Sequence, residues 1–578
     1  MFRIRKVADD LIPINQEAIA RAQEILRLQF SLLNNKEIEK LPEQIRNPLK
    51  FRFQAVLFVA DKMSGGVQGF ALLLHAPDLK FCYLDYISID PGASGRGYGS
   101  ALYARVREEA RLLDSIGLFF ECLPDDPALS RDPVIRKQNT QRLRFYEKYG
   151  AYPIIGTAYE TPLTPNDDNP PYLVFDPLDK NRGLRRDEAR SIVRAILERK
   201  YGKVCPKGYI EKVVNSFQDD PVRLRSPKYK RKDPSINVSM KIKTLDRIAL
   251  VVNDRHEIHH VRERGYVESP VRIRSLLREI NKTVLFENIP PQHCSEHYIT
   301  DVHDTRMFNY FKKVCSNLPE GKSVYPYVFP IRNAARPPRE LLVRAGYYCI
   351  DSFTPLNQNA FLAARRAVDC AITATKKLLE GHHFCYALVR PPGHHAEVRA
   401  FGGFCYFNST AISANYLSSL GKVAVLDVDY HHGNGTQDIF YGRDDVLTIS
   451  LHGHPNMTYP YFSGFEEERG TSRGEGYNVN VPLPENISGE RYINHLSATV
   501  KRIRKFAPRF LVVALGLDTA KGDPTGTWTL IPDDFEAMGR VIGGLGFPTL
   551  IVQEGGYDTG AIGRNARRFF TGLFSGWE

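Results

Sequence analysis

Short buried-strand runs separated by helical pattern constrain this chain more than any other feature. Val423 to Val428, Val446 to Leu451, Phe510 to Leu515 and Thr549 to Gln553 are short, predominantly apolar runs, with consecutive apolar residues at Val423–Leu426, Phe510–Leu515 and Leu550–Val552. Strands buried on both faces belong to a parallel sheet, so residues 241–578 are predicted to form an α/β domain with helices on both sides. The chain has 578 residues, 43% of them hydrophobic, which exceeds one core and implies two or three domains. No run approaches the roughly 20 apolar residues of a membrane span, and the start, MFRIRKVADDLIPIN, has no signal-peptide core. Nine cysteines stand singly with no CxxC pair, which fits reduced thiols and a cytoplasmic setting. The net charge of +12 suits a solvated basic surface or an acidic partner, and no nucleic-acid-binding motif accompanies it.

Upstream, residues 1 to about 165 begin with a helical pattern, Asn15 to Leu33, followed by strand-like runs at Ala55–Ala60, Gly69–His75 and Phe81–Ile89. A helix is expected over Gly99–Leu113, a strand over Leu118–Cys122 and a helix near Gln141–Tyr149. Residues 166–240 open on the turn cluster TPNDDNPPYLV and close on the basic run RLRSPKYKRKDPS. They read as a basic linker with one helix, Arg186 to Tyr201, and secondarily as a docking surface for an acidic partner.

In the C-terminal domain polar clusters follow the buried strands, where open α/β sheets build their sites. In DVDYHHGNG, strand alternation sends Asp427, Asp429 and His431 to one side. Asp518 follows another strand. Two carboxylates and an imidazole leave open coordination suited to a catalytic zinc, and the first-row metal order does not exclude iron or cobalt. His394 and His395, in RPPGHHAEVRAFGGFCYFN, are placed to serve water and departing amine as base and acid. Tyr557, after two glycines in QEGGYD, can approach a polarised carbonyl and stabilise an oxyanion.

RPPGHHA, GGFCYFN, LDVDYHHGNGTQDIFY, SLHG, GLD and EGGY, in this order, resemble the arginase-like zinc deacetylases, that is, histone deacetylases and acetylpolyamine amidohydrolases. The resemblance implies a zinc-dependent deacetylase with Asp429, His431 and Asp518 as metal ligands. It makes His394 and His395 the catalytic pair, with His395 the general base and acid. Asp427 and Asn434 are implied as their partners, and a neutral Asn434 should leave His395 less basic than a carboxylate would. Tyr557 becomes the transition-state tyrosine. Gly403, Phe404 and Tyr459 line the acyl tunnel, and the main chain around Asp427 and His431, with Ser450 and Leu451, resembles a structural potassium site. The loop around 324–350 resembles the one through which acetylpolyamine amidohydrolases dimerise. Its acidic positions fall here on Leu342 and Phe353, with Glu340 two residues out of register, so the substrate is an acetylated amine, protein lysine or small molecule.

Near the N-terminus, LDYISIDPGASGRGYGSALYARVREEA is a strand, a glycine-rich turn and a helix, and NTQRLRFYEKYGAYPI closes the unit. Inward N–H groups at a helix N-terminus suit a pyrophosphate. Together these resemble the GNAT superfamily of N-acetyltransferases, a mixed sheet with helices. By that resemblance Ile87, Ser88 and Ile89 hold the pantetheine of acetyl-CoA. Gly95, Arg96, Gly97, Tyr98, Gly99 and Ser100 hold its pyrophosphate, with Ser94 in the same cofactor turn departing from the Gln or Arg that the family usually carries there, and Tyr146 protonates the leaving thiolate. The chain thus reads as a two-enzyme fusion. The rival readings are a deacetylase governed by a catalytically silent acetyl-CoA sensor, and a chromatin- or nucleoid-directed deacetylase recruited through the basic linker.

Overall fold

The computed structural model describes residues 2–577 apart from 8, 31–33, 63–65, 94–96, 162–169, 180–181, 203, 230–245 and 262–265. Near residue 235 the chain divides into two compact units.

The first unit is a mixed seven-stranded sheet in the order β1-β2-β3-β4-β5-β7-β6. Its strands are β1 (Phe2–Val7), β2 (Gln54–Lys62), β3 (Val67–Ala76), β4 (Phe81–Ile89), β5 (Leu118–Cys122), β6 (Tyr152–Pro153) and β7 (Tyr172–Asp176). The helices are α1 (Pro13–Gln29), α2 (Asn35–Glu39), α3 (Leu41–Arg46), α4 (Pro48–Phe51), α5 (Tyr98–Leu112), α6 (Pro133–Glu147), α7 (Arg186–Arg199) and α8 (Lys207–Asn215). The helix expected near Gln141 starts eight residues earlier, because Asp132 caps it by accepting from the Val134 N–H at 2.7 Å and proline follows at the first helical position.

Strand β4 is irregular in two places. It meets β5 only at Cys82↔Leu118 and Tyr83↔Phe119, so the strands part beyond that point. Its register with β3 steps from Leu73↔Leu84 to Leu72↔Tyr86, leaving Asp85 as a bulge.

The linker reading of 166–240 is corrected. Tyr172–Asp176 is fully buried and pairs with β5. Asp176 meets Arg107 at 2.7 Å in the interior. Helices α7 and α8 bury Ile192, Val193, Ile196, Val213 and Val214 in the same core as α1 and β2–β4. In the basic run, the largely buried Arg225 and the half-exposed Lys228 pair with the buried Asp125 at 2.8 and 3.0 Å, and residues 230–235 lie outside the described residues. Turn residues here connect strands of one sheet, which local composition does not distinguish from a boundary between domains.

The second unit carries a small β10-β11 pair and an eight-stranded, all-parallel sheet ordered β15-β14-β13-β16-β17-β12-β8-β9. Its strands are β8 (Ile248–Val252), β9 (Phe286–Ile289), β10 (Ser323–Val324), β11 (Leu356–Asn357), β12 (Phe384–Leu388), β13 (Val423–Asp427), β14 (Val446–Gly453), β15 (Asn478–Leu483), β16 (Phe510–Leu515) and β17 (Thr549–Gln553). The helices are α9 (Val271–Ile280), α10 (His297–Thr300), α11 (Thr305–Ser316), α12 (Ala360–Leu379), α13 (Ser409–Ser418), α14 (Asn434–Phe440), α15 (Gly489–Phe506), α16 (Pro532–Gly543) and α17 (Ile562–Trp577). Continuous apolarity has its reason in two separate cores. Val423, Val425 and Val512 pack with α11–α13, while Ala424, Leu426, Leu511 and Val513 pack with α9 and α15–α17. Each fully buried valine or leucine contributes about 1.5–3 kcal/mol relative to exposure, so neither face of these strands tolerates polar residues until the strand ends.

Candidate active site

Four neighbouring strands, β13, β16, β17 and β12, run parallel, and polar residues begin where each stops. Past β13 come Asp429 and His431, past β16 Asp518. His431 Nδ1 lies 3.0 Å from an Asp518 oxygen and 3.2 Å from an Asp429 oxygen. All three side chains are buried and their ligand atoms lie within 4.8 Å of one another. Two glycines make the room: a Cβ on Gly516 would fall 2.2 Å from an Asp429 oxygen, and one on Gly555 2.5 Å from Asp518. Burial alone would lower the His431 imidazole, but the two carboxylates outweigh it and hold its pKa up at about 9. Burial, with Asp429 beside it, pushes Asp518 up to about 6. Two carboxylates facing one imidazole in a dry site fit a divalent cation.

His394 and His395 follow β12, their ring centroids 4.0 Å apart. Each is turned by its Nδ1, which leaves Nε2 as the working nitrogen. His394 Nδ1 lies 2.9 Å from Asp427, and His395 Nδ1 lies 2.8 Å from the Asn434 carbonyl. Burial lowers His394, yet Asp427 and Asp429 outweigh it and raise it to about 10. His395 falls well below the usual imidazole value, because burial is joined by His394 and His431 and outweighs the opposing Asn434 hydrogen bond and Asp429 charge. Their surroundings therefore push the two rings in opposite directions, His394 up and His395 down.

Tyr557 follows β17. Its main-chain N–H donates to Asp523 at 2.6 Å, and its hydroxyl has no partner among the described residues. The Arg272 guanidinium lies 4.6 Å from its ring centroid. Phe404 stands 6.3 Å from Tyr557, Tyr459 stands 4.8 Å from His395, and Phe353 bridges Phe404 and Tyr459 at 5.7 and 5.5 Å. Gly403 has φ +57°, and a Cβ there would strike the His395 ring at 2.2 Å. Leu342 is exposed, as is Glu340.

In the first unit, Ile87, Ser88 and Ile89 form the end of β4, where β5 has parted from it. Gly97 caps α5 in the left-handed region, φ +74°, and a Cβ on Gly99 would meet nothing within 4 Å. Ser100 lies in the first turn of α5, and Tyr98 is buried and packs its ring on Phe2 at 4.3 Å. Ser94, Gly95 and Arg96 lie outside the described residues. Tyr146 sits in α6, buried, 4.4 Å from the Phe120 ring, and burial raises its phenol.

Residues 266–573 match the family model described as the histone deacetylase domain. The chain belongs to the histone deacetylase family. Residues 20–131 match the acetyltransferase (GNAT) family. The chain is similar to acetylpolyamine amidohydrolase 2 of Pseudomonas aeruginosa, 36% identical over 56% of this chain and 98% of that protein. It is also similar to histone deacetylase 15 of Arabidopsis thaliana, 39% identical over 38% of this chain and 41% of the relative. A crystal structure of acetylpolyamine aminohydrolase from Burkholderia pseudomallei superposes with TM-score 0.54 at 35% identity, covering 56% of this chain and 98% of its own. The chain thus joins a deacetylase domain of acetylpolyamine amidohydrolase and histone deacetylase type to a GNAT domain.

Several residues of the deacetylase domain escape the sequence reading. Glu397, two positions after His395, accepts from the Asn434 amide at 2.8 Å and so fixes which end of that amide faces His395. Glu554 accepts from the N–H groups of Gly393 and His394 at 2.6 and 3.1 Å. Both lie inside the recognised segments, so a signal was present. Asp351 accepts from the Gly403 N–H at 2.6 Å and the Tyr459 hydroxyl at 2.9 Å, tying the tunnel together. Arg272 holds the Gly556 carbonyl at 2.6 Å, bonds that of Glu554, and meets Glu268 at 3.1 Å. Neither Asp351 nor Arg272 stands in a motif.

Proposed function

We propose that the second unit is a zinc-dependent deacetylase that hydrolyses an N-acetylated amine to acetate and amine, and that the first is an acetyl-CoA-dependent N-acetyltransferase. The deacetylase reading is carried by one observation: Asp429, His431 and Asp518 converge beside His395, whose Nδ1 is held by a neutral partner. A zinc ion held by these three would supply Lewis acidity to the acyl oxygen and to water. His395, neutral and with Nε2 free, takes the proton of the attacking water and returns it to the departing amine. The Tyr557 hydroxyl donates to the developing oxyanion. His394, kept charged by Asp427, adds positive potential at the same place. A structural potassium ion at the main chain around Asp427 and His431, with Ser450 and Leu451, rests on the family resemblance alone.

The substrate reading follows the lining. Phe353, Phe404 and Tyr459 present aromatic surface, and the one carboxylate bonded to this lining, Asp351, is engaged by the Tyr459 hydroxyl and the Gly403 N–H, which favours an acetyl-lysine-like or weakly charged acetylamine over a polycation. The names of the relatives favour acetylpolyamines as the second reading. Exposed Tyr327, Val328, Ile331, Leu342 and Val343 in the 324–350 loop support a homodimer through it. Nine free, buried thiols support a reducing, cytoplasmic compartment. Among the described residues no helix is long and apolar enough to cross a membrane. The test is acetate release from acetyl-lysine peptides and acetylpolyamines, with and without a strong chelator. Activity lost on chelation and restored by zinc is expected, and activity indifferent to the chelator refutes the metal assignment.

A further inference from the structure

The parting of β4 and β5 leaves an opening in the first unit, with the bulged Asp85 on one side and Glu121 on the other. From α7 the chain sends two consecutive side chains to it. The Lys200 ammonium pairs with the Asp85 carboxylate, and both side chains are largely buried, at 18% and 4% exposure. The ammonium also lies 4.8, 5.5 and 5.2 Å from the ring centroids of Tyr83, Tyr86 and Tyr201. The Tyr201 hydroxyl donates to one oxygen of Glu121 and the Tyr159 hydroxyl to the other, each at 2.6 Å. Both carboxylates of the opening are therefore met from within the unit, and an amine already stands there.

The two faces of the opening carry different chemistry. Tyr83 and Phe119, at its closed end, belong to the core shared with α1, α7 and α8, and Lys200 arrives on that side. Phe120 points the other way, onto Tyr146 and Tyr103 at 4.4 and 6.0 Å. An acyl thioester lying along the unpaired end of β4 would have an amine on one face and a phenol on the other.

We propose that Lys200 is an acetyl acceptor of the first unit, so that this unit acetylates its own chain. The inference rests on the reading of that unit as an acetyl-CoA site. In the reaction the Lys200 ammonium gives one proton to Asp85 and on to solvent, and its lone pair attacks the thioester carbon. The C–S bond breaks with its electrons on sulfur, and the thiolate takes the Tyr146 proton. The second amine proton, passed through solvent, restores Tyr146. The net change is ammonium plus thioester to amide, thiol and one proton.

The experiment uses the full chain with a chelator, so that the hydrolase cannot remove the product, and acetyl-CoA labelled in its acetyl carbon. Peptide mass spectrometry is expected to find about one acetyl per chain on the Lys200 peptide. The rate constant should not depend on protein concentration, and Tyr146→Phe should slow it about 10²-fold or more. Lys200→Arg, which keeps the pairing with Asp85, should abolish the label while leaving acetyl-CoA binding measurable by calorimetry. Binding without label at Lys200 overturns the inference and leaves the acetyl-CoA reading intact. Absence of binding overturns both. Label that appears equally fast in Tyr146→Phe, or equally on surface lysines, is plain chemical acetylation and also overturns it.

Discussion

Replacing Tyr557 by phenylalanine separates catalysis from structure at the one residue where the geometry keeps them apart. The hydroxyl has no partner among the described residues, so its removal leaves no donor or acceptor orphaned. The ring keeps its surroundings, with the Arg272 guanidinium 4.6 Å and the Phe404 ring 6.3 Å away. The main-chain anchor to Asp523 at 2.6 Å does not involve the side chain. None of the mechanisms behind large destabilisations applies, and the melting temperature should move by less than about 2 °C. The transition state, by contrast, loses one preorganised donor in a water-poor site, typically about 2.7–4 kcal/mol or 10²–10³ in kcat. The assay is kcat for acetate release beside a thermal melt of the same preparation. A kcat within about threefold of the parent would refute the oxyanion role, since three orders of magnitude correspond to about 4 kcal/mol. A lost kcat accompanied by a melting temperature lowered by more than about 5 °C would show instead that the hydroxyl serves the fold.

Three further outcomes follow from particular contacts. Burial, reinforced by Asp438 and opposed by the Asn434 N–H, pushes Glu397 up to about 7 from 4.5. The folded chain then binds this proton more tightly than the unfolded one, so stability falls as pH rises from about 4.5 to about 7. Glu397→Gln keeps an acceptor for Asn434 and should raise the melting temperature at pH 8 more than at pH 5; an equal shift at both would contradict the assignment. Gly97→Val forces a branched side chain into φ +74° at the cap of α5, and calorimetry on the whole chain should show acetyl-CoA binding abolished. Undiminished heat would mean that this turn does not hold the cofactor. Phe353→Glu puts a carboxylate between Phe404 and Tyr459 and should move the kcat/KM ratio toward acetylpolyamines, less so in high salt. If the unaltered enzyme already prefers acetylpolyamines tenfold, about 1.4 kcal/mol, the lining argument fails.

How much of this was legible in advance depends on the range of the interaction. The DVDYHHGNG segment was readable because its polar residues are close neighbours in the chain, but β13 ends at Asp427, so the bend beyond the strand, and not strand alternation, brings Asp429 to His431. The Asp132-Pro133 start of α6 was equally local, and was missed only because the apolar pattern begins later. The linker was misread for the opposite reason. Nothing in TPNDDNPPYLV tells whether its turn returns the chain to a sheet or leads away from it, and only the pairing of Tyr172–Asp176 with β5 decides.

By itself the sequence determined the deacetylase and GNAT domain types and the layer architecture, because apolar runs, glycine turns and motif spacings act over a few residues along the chain. Only the tertiary structure decided which distant groups complete each site. Arg272 reaches Tyr557 from 285 positions earlier in the numbering, Asp351 fastens Gly403 to Tyr459, and Lys200 meets Asp85 in the opening beside β4. Each is a charged residue whose local surroundings resemble those of any solvated one. What marks it is the cost of burying a charge without a partner, and that cost exists only once the fold has brought the partner to it.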